Sequence, residues 1–182
     1  MKTKQLGKRE GKVRWIGVSN FDVEQMKRVQ AIAPITSLQP PYSLVHPEVE
    51  EEILPYCEQE RIGVIVYSPM ASGLLTGAMT RERIGRLPED DWRKRHPDFN
   101  EPNLSDNLAL VERLRAVGKR GGFAPGAVAI AWTLTNSAVT AAIVGARKRE
   151  QVDEVVAAAG VRLTHSDLTQ IEPVAELAGR GQ

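Results

Sequence analysis

Short apolar segments alternate with helical patterns along the chain, and this alternation constrains the fold more than any other feature. Predicted strands cover residues 13–18, 36–39, 62–67 and 139–144. The three clearer strands are apolar on both sides, which is typical of a parallel sheet covered by helices. The class is therefore predicted to be α/β. Four strand-helix units suffice for a small open sheet, or for half of a closed eight-stranded barrel.

The helical patterns carry recognisable start and stop signals. Asp22 is a predicted N-cap, with Gln25 three residues on as in a capping box, and Pro34 ends the first helix. Its predicted buried face consists of Val23, Met26, Val29 and Ile32. Further helices are predicted over residues 47–60, around 110–117, from Pro125, around 152–159 and from about Thr164.

Composition indicates a single domain, residues 1–182, with 42% apolar residues to build a core. Twenty-four basic and 23 acidic residues give a net charge of +1, which argues against a nucleic-acid partner. Residues 1–11 form a basic tail, interpreted as a solvated terminus rather than a binding arm. Residues 76–104 lack a sustained period and are interpreted as a long loop excursion, either functional or mobile.

Cys57 is the only cysteine, which excludes an intramolecular disulfide and any multi-cysteine metal site. Its position in a predicted helix favours a small buried thiol. No run of about 18 apolar residues and no signal segment is present. A soluble cytoplasmic protein without a membrane partner is therefore expected, and no metal site is assigned.

Hydrogen-bonding residues follow every predicted strand. Ser19 and Asn20 follow the first, Gln39 ends the second, and Tyr67 with Ser68 ends the third. The fourth strand leads into residues 145–147, Gly-Ala-Arg. Carboxyl ends of parallel strands share one rim, where sites are built. Each element alone is better explained as a turn or cap, but the four together favour a functional site.

Two of these segments suit phosphate binding. Residues 68–77 (SPMASGLLTG) are small and glycine-containing, so their backbone can approach a ligand closely. Arg147, Lys148 and Arg149 stand at a predicted helix start, where the helix dipole disfavours cations unless an anion is bound. The alternative is a solvent-exposed basic turn. Tyr67 could stack on a planar ring or pack in the core.

The motifs GKVRWIGVSNF, LQPPYSL, VIVYSPMASGLLTG and AAIVGARKREQVDE occur in this order over about residues 11–177. Together they resemble the second half of an aldo-keto reductase, closest to the bacterial and potassium-channel β-subunit-like branches. The resemblance implies half of a TIM (β/α)8 barrel, with four parallel strand-helix units completed by association. It also implies NADP(H) as the cofactor, bound in an extended form.

The resemblance assigns a role to each rim residue. Ser19 and Asn20 would hold the nicotinamide carboxamide with help from Gln39, and Tyr67 would stack on the nicotinamide. The pyrophosphate would lie under the following loop, at Ser68, Met70, Ser72 and Gly73. The last loop would take the 2′-phosphate and adenine, at Gly145, Arg147, Gln151 and Glu154. One departure is Val155, which follows Glu154 where the family usually has Asn, and this puts one adenine contact in doubt.

No catalytic residue is assigned. The family's Asp-Tyr-Lys-His tetrad comes from the first four strands, and this sequence begins at what resembles the fifth. His46 is interpreted as a surface residue, and His96 and His165 have no evident partner. Carbonyl reduction needs a proton donor beside the hydride, and no credible donor is evident.

Three functional hypotheses follow. The first is an NADP(H)-binding half-barrel without independent catalysis, which associates as a homodimer or with a separately encoded N-terminal half. The second is an oxidoreductase that is active only when a partner chain supplies the tetrad. The third is a non-enzymatic interaction module or truncated relative. The first hypothesis also predicts two open edge strands and an apolar concave face.

Overall fold

The computed structural model describes residues 13–171, which form four strands, seven α-helices and five 3₁₀ helices. The strands are β1 (Gly17–Ser19), β2 (Ser37–Gln39), β3 (Gly63–Tyr67) and β4 (Val139–Ile143). The α-helices are α1 (Val23–Gln30), α2 (Ile53–Gln59), α3 (Arg81–Gly85), α4 (Asn103–Lys119), α5 (Pro125–Thr133), α6 (Arg149–Val156) and α7 (His165–Ile171). The 3₁₀ helices are Glu48–Glu50, Ala71–Thr76, Trp92–Arg95, Pro97–Phe99 and Ala157–Gly160. The predicted tail at residues 1–11 lies outside the described residues.

The four strands form one parallel sheet in the order β1-β2-β3-β4. The predicted α/β class and the four parallel strands are therefore confirmed. Within residues 13–171, β1 and β4 each pair on one side only, so the sheet has two open edges. All four strands point their carboxyl ends to the same rim, as expected of a parallel sheet.

The two faces of the sheet differ at β1, which was predicted to be apolar on both sides, whereas β3 is apolar on both faces as predicted, with Ile65 and Tyr67 opposite Val64 and Val66. One face carries Leu38, Val64 and Val66, all fully buried in the core. The opposite face is polar or small on β1 and β2, and the paired Ser19 and Gln39 are exposed there. The predicted apolar concave face is therefore wrong for this half of the sheet.

Helix α1 confirms the predicted capping box. The Gln25 amide donates to Asp22 Oδ1 at 2.7 Å, and the Asp22 amide donates to Gln25 Oε1 at 3.0 Å. Met26 is fully buried as expected. Ile32 is 87% exposed, because the helix ends at Gln30 and its buried face stops before that residue. The prediction for Ile32 was wrong.

The helix predicted over residues 47–60 is divided into the 3₁₀ helix Glu48–Glu50 and helix α2. Pro55 accounts for the break. In a continuous helix its ring would clash with the carbonyl group of Glu51, four residues earlier. Leu54 and Cys57 are buried as the pattern predicted. Burial raises the pKa of the Cys57 thiol to about 11, so it remains protonated at neutral pH.

The core lies between the buried face of the sheet and helices α4 and α5. All nine residues of α5 are buried. The Trp132 ring packs on Tyr42, with 5.0 Å between ring centroids, and so joins α5 to the chain that leaves β2. Gly126 lets α5 approach the loop after β3, because a Cβ there would stand 3.2 Å from Met70 Sδ. This packing fixes that loop against the scaffold.

The predicted loop excursion at residues 76–104 is structured, which corrects its interpretation as irregular chain. It contains α3, the 3₁₀ helices Trp92–Arg95 and Pro97–Phe99, and the start of α4. We call residues 88–99 the strap. The Trp92 ring packs edge-on against His96 and Phe99, with centroids 5.2 and 6.1 Å apart. Such short elements have no repeating apolar pattern, so periodicity did not reveal them.

Candidate functional site

The ends of β1 and β2 are joined by hydrogen bonds. Ser19 Oγ donates to the Gln39 carbonyl oxygen at 2.9 Å, and the Asn20 amide donates to the same oxygen at 3.1 Å. Asn20 has a left-handed backbone, φ 58°. Such conformations are uncommon for non-glycine residues and cluster at functional sites. This backbone conformation makes the chain turn sharply at Asn20, directly after β1.

Tyr67 connects this pair of strands to β3. Its hydroxyl group donates to Asn20 Oδ1 at 3.1 Å. Its backbone amide donates to Pro40 O at 3.0 Å, and Tyr42 N donates to Tyr67 O at 3.1 Å. The predicted rim residues Ser19, Asn20, Gln39 and Tyr67 therefore form one contiguous group across three strands.

The loop after β3 turns at the rim through a run of left-handed residues. Ser68, Ala71 and Ser72 have φ values of 57°, 45° and 54°, and Gly73 has φ 93°. Leu74 and Leu75, side by side, are fully buried. The buried leucines anchor the loop on the core side, whereas Ser68 and Ser72 in the turn are exposed. A polar ligand can approach such a backbone closely.

Helix α6 begins at the fourth strand end. The backbone amides of Arg147 and Lys148 donate to Gln151 Oε1 at 2.7 and 3.1 Å. Gln151 therefore satisfies two amides that a helix N-terminus would otherwise offer to an anion. The exposed Arg147 side chain is the remaining anion-binding group of this segment that faces the cleft described next.

A cleft of about 1300 Å³ runs along the rim between the β3 loop, the strap, α5 and the start of α6. Every predicted site residue except Ser19, Asn20 and Gln39 lines it, namely Tyr67, Ser68, Met70, Ser72, Gly73, Gly145, Arg147, Gln151 and Glu154. The other three residues adjoin its Tyr67 end through the bond from Tyr67 to Asn20. A Cβ placed on Gly73 or Gly145 would meet nothing within 4 Å, so the backbone at both positions borders open space.

The cleft is rich in cationic side chains that sequence reasoning did not assign: Arg83, Arg93, Arg115 and Lys119. Arg83 Nη1 donates to Ala78 O at 3.1 Å, and Arg115 Nη2 donates to Gly77 O at 3.2 Å. These bonds hold two guanidinium groups beside the segment that follows the β3 loop. Their charge favours an anionic ligand in the cleft.

Asp91 in the strap offsets part of this charge. Arg93 donates to both of its carboxylate oxygens, Nη2 to Oδ2 at 2.6 Å and Nε to Oδ1 at 2.9 Å. These hydrogen bonds, helped by the charges of Arg93 and Arg147, lower the pKa of Asp91 to about 2. Asp91 is therefore ionised at neutral pH, and an anion bound at Arg147 must overcome its repulsion.

The sequence did not indicate that strap residues line the cleft, because their position depends on contacts with residues that are distant in sequence. The segment DDWRKRH, residues 90–96, does carry a signal, since it combines Trp, Arg and His in a stretch too irregular for a core element. Trp92 is 52% exposed and lines the cleft. An exposed tryptophan in a charged segment could have been noted as a ligand contact.

The histidines differ from their predicted surroundings. His46 was expected on the surface; its side chain is 44% exposed, and Nε2 lies 2.8 Å from Asp98 Oδ2. His96 does have a partner, because the Asp98 amide donates to His96 Nδ1 at 3.3 Å. His165 is exposed at the start of α7 and does not line the cleft.

None of the helices that the structure describes is long and apolar enough to cross a membrane.

The family model for the aldo/keto reductase family matches residues 3–176. The chain belongs to the aldo/keto reductase family. This confirms the resemblance inferred from the four motifs. Members of the family generally use a nicotinamide dinucleotide as cofactor, which agrees with a long cationic cleft at the strand ends.

Two curated relatives show the extent of the match. The chain is 37% identical over 167 residues to aldo-keto reductase YhdN of Bacillus subtilis, covering 91% of this chain and 50% of that protein. It is 34% identical over 173 residues to probable aldo-keto reductase 1 of Glycine max, covering 93% of this chain and 49% of that protein. The chain thus spans about half the length of these aldo/keto reductases.

The solved structure of glycerol dehydrogenase AKR11B4 from Gluconobacter oxydans has a similar fold. It superimposes with a TM-score of 0.81 and 36% sequence identity, covering 88% of this chain and 48% of that one. The four parallel strands and their helices therefore resemble part of an aldo/keto reductase barrel. The residues that the family model matches, 3–176, include the rim residues described above.

Proposed function

We propose that this chain binds NADP(H) along the rim cleft and supplies the cofactor-binding half of an aldo/keto reductase. The main support is one continuous groove that the ends of β3 and β4 line and that the ends of β1 and β2 adjoin at Tyr67. Nine residues assigned by resemblance line that groove, and the other three adjoin it at Tyr67. A bound nicotinamide would supply the hydride for carbonyl reduction.

The nicotinamide end of the cofactor would lie at β1, β2 and β3. The carboxamide group needs both donors and acceptors, and the side chains of Ser19, Asn20 and Gln39 offer both. Tyr67 would stack on the nicotinamide ring. Because its hydroxyl group already bonds to Asn20, the position of the aromatic ring and that of the amide are coupled.

The phosphate groups would lie along the β3 loop and the start of α6. Ser68, Met70, Ser72 and Gly73 border the part of the cleft where a pyrophosphate would fit. Arg147 would bind the 2′-phosphate, and Gly145, Gln151 and Glu154 would contact the adenosine. The predicted selectivity for NADP(H) over NAD(H) therefore depends chiefly on Arg147.

Fluorescence titration with NADPH tests this proposal, using Gly145→Leu as a blocking variant. A Cβ at Gly145 would meet no protein atom within 4 Å, so stability should be nearly unchanged, but the leucine side chain would enter the space proposed for the cofactor. Gly85→Leu is the matched control, because that Cβ also meets nothing within 4 Å and Gly85 does not line the cleft. We expect affinity to fall at least about tenfold in the first variant only, as for a steric overlap. Equal NADPH affinity in both variants would show that the cofactor does not bind in the cleft.

We further propose that carbonyl reduction requires completion of the sheet. The edges of β1 and β4 are open within residues 13–171, and apolar side chains are exposed near both: Trp15 is 58% exposed and Ile143 is 43% exposed. Exposed edges favour pairing with further strands. The occupant would be a second copy of this chain or a polypeptide that carries the other half of the family fold and its tetrad.

Association and turnover can be measured separately. Light scattering should show an assembly larger than the monomer at micromolar concentration, and a stable monomer would contradict the homodimer. NADPH-dependent reduction of an aldehyde such as nitrobenzaldehyde should require a chain that supplies the tetrad. Turnover by the purified chain alone would refute this division of labour. No turnover with any partner, together with normal NADPH binding, would leave cofactor binding as the function.

A further inference from the structure

A carboxylate and two imidazoles lie beside the cleft and are not used by the proposed cofactor site. Asp98 in the strap is 8% exposed, and its Oδ2 lies 2.8 Å from His46 Nε2. His46 belongs to the chain that follows β2, 52 residues away in sequence. The contact therefore joins the strap directly to the sheet rim.

The rest of the strap relies mainly on its own short-range bonds. Arg93 pairs with Asp91, and Lys94 pairs with Glu89. At its carboxyl end, Asn107 Nδ2 donates to the Asp98 carbonyl oxygen at 3.0 Å. The side chain of Asp98 is thus the polar link between the strap and the β2 side of the rim. A small cavity of about 150 Å³ beside this link is bordered by Tyr67 and Trp92.

We propose that His46 is a positioning residue: through Asp98 it latches the strap over the cleft and so increases cofactor affinity. The strap presents Trp92 and Arg93 to the cleft, so its position sets that of both side chains. A strap held in place would have less entropy to lose when the cofactor binds. The effect on affinity rests on the proposed function. The His46–Asp98 contact itself, which we call the latch, does not.

The latch should depend on pH because His46 titrates. Burial opposes its charged form most strongly, but the hydrogen bond and charge of Asp98, with Glu48 nearby, outweigh burial and raise the pKa of His46. The charged groups near His46 are Asp98 and Glu48, and His96 Nδ1 lies 3.4 Å from Asp98 Oδ2, the oxygen that His46 contacts. The ion pair is therefore complete below the ordinary histidine pKa of about 6.5 and weakens as pH rises through the raised value. Asp91 stays ionised throughout this range.

Three variants separate a latch from a merely structural residue. His46→Ala removes the donor, and His46→Gln keeps an amide donor that does not titrate. His165→Ala is the control, because that histidine is exposed and distant from the cleft. Hydrogen exchange gives protection factors for residues 88–99 at about pH 5.5 and 8.5, without any cofactor.

The wild-type strap should be several-fold better protected at the lower pH. His46→Ala should lose that excess protection, and His46→Gln should retain part of it with no pH dependence. NADPH affinity should fall about fivefold in His46→Ala at the lower pH, as expected when part of a charge-assisted hydrogen bond is lost. Equal protection in wild type and His46→Ala, or pH dependence that persists in His46→Gln, would overturn the latch. If the wild type bound no NADPH, the proposed function would fail together with the affinity effect, and the exchange data would still decide the latch.

Discussion

Removing the Arg147 side chain tests the basis of cofactor selectivity. Arg147 lines the cleft, is exposed, and its side chain forms no salt bridge among residues 13–171. The 2′-phosphate is the one group that distinguishes NADPH from NADH. Arg147→Ala should therefore weaken NADPH binding and leave NADH binding nearly unchanged.

The expected loss of NADPH affinity is limited because Arg147 is exposed to solvent. A hydrogen bond to a charged group is worth about 1.5–3 kcal/mol, and solvent screening at an exposed site reduces this to about 1–1.5 kcal/mol. The negative charge of Asp91 in the same cleft also opposes the phosphate, which limits the gain. The dissociation constant for NADPH should rise about five- to tenfold.

Fluorescence titrations with both cofactors at about 0.15 M salt measure this difference. Lys148→Ala is the matched control, because it removes the same charge from a neighbouring exposed residue that does not line the cleft. The effect of Lys148→Ala on NADPH affinity should stay below about twofold, since salt screens an exposed charge that makes no direct contact with the ligand. The reasoning is refuted if Arg147→Ala weakens NADH as much as NADPH, or if Lys148→Ala matches it.

Further variants test the scaffold and the rim. Leu114→Ala, at a fully buried site in α4, should cost about 2–5 kcal/mol in urea unfolding. Val156→Ala, 65% exposed, should cost less than about 0.5 kcal/mol, and equal costs would contradict the assigned core. Asp22→Ala should lose about 1 kcal/mol with the α1 cap, and no loss would show that the capping bond is absent in solution. Asn20→Gly should retain stability because glycine accepts φ 58°, whereas Asn20→Ala should lose about 1–2 kcal/mol. Both should bind NADPH more weakly than wild type, and unchanged affinity would exclude Asn20 from the site.

Local patterns predicted which residues lie at the rim of the sheet. The ends of β1 and β3 are marked by polar residues directly after apolar runs, and Asn20 and Ser68 both take left-handed backbones there. The capping box of α1 was also readable, because its partners are three residues apart. Short-range hydrogen bonding and residue type decide such features, so the sequence carries them explicitly.

Features that depend on distant contacts were not readable. The sequence did not show that α1 ends before Ile32. It also did not show which residues lie on the sheet face opposite the core, because that depends on how the strands pair. The strap has no period of its own, and its link to the rim joins His46 and Asp98 across 52 residues. The α/β class, the four parallel strands and the position of the polar strand ends at one rim were thus determined by sequence alone. The shape and charge of the cleft were decided by tertiary structure, because they arise from side chains that only folding brings together.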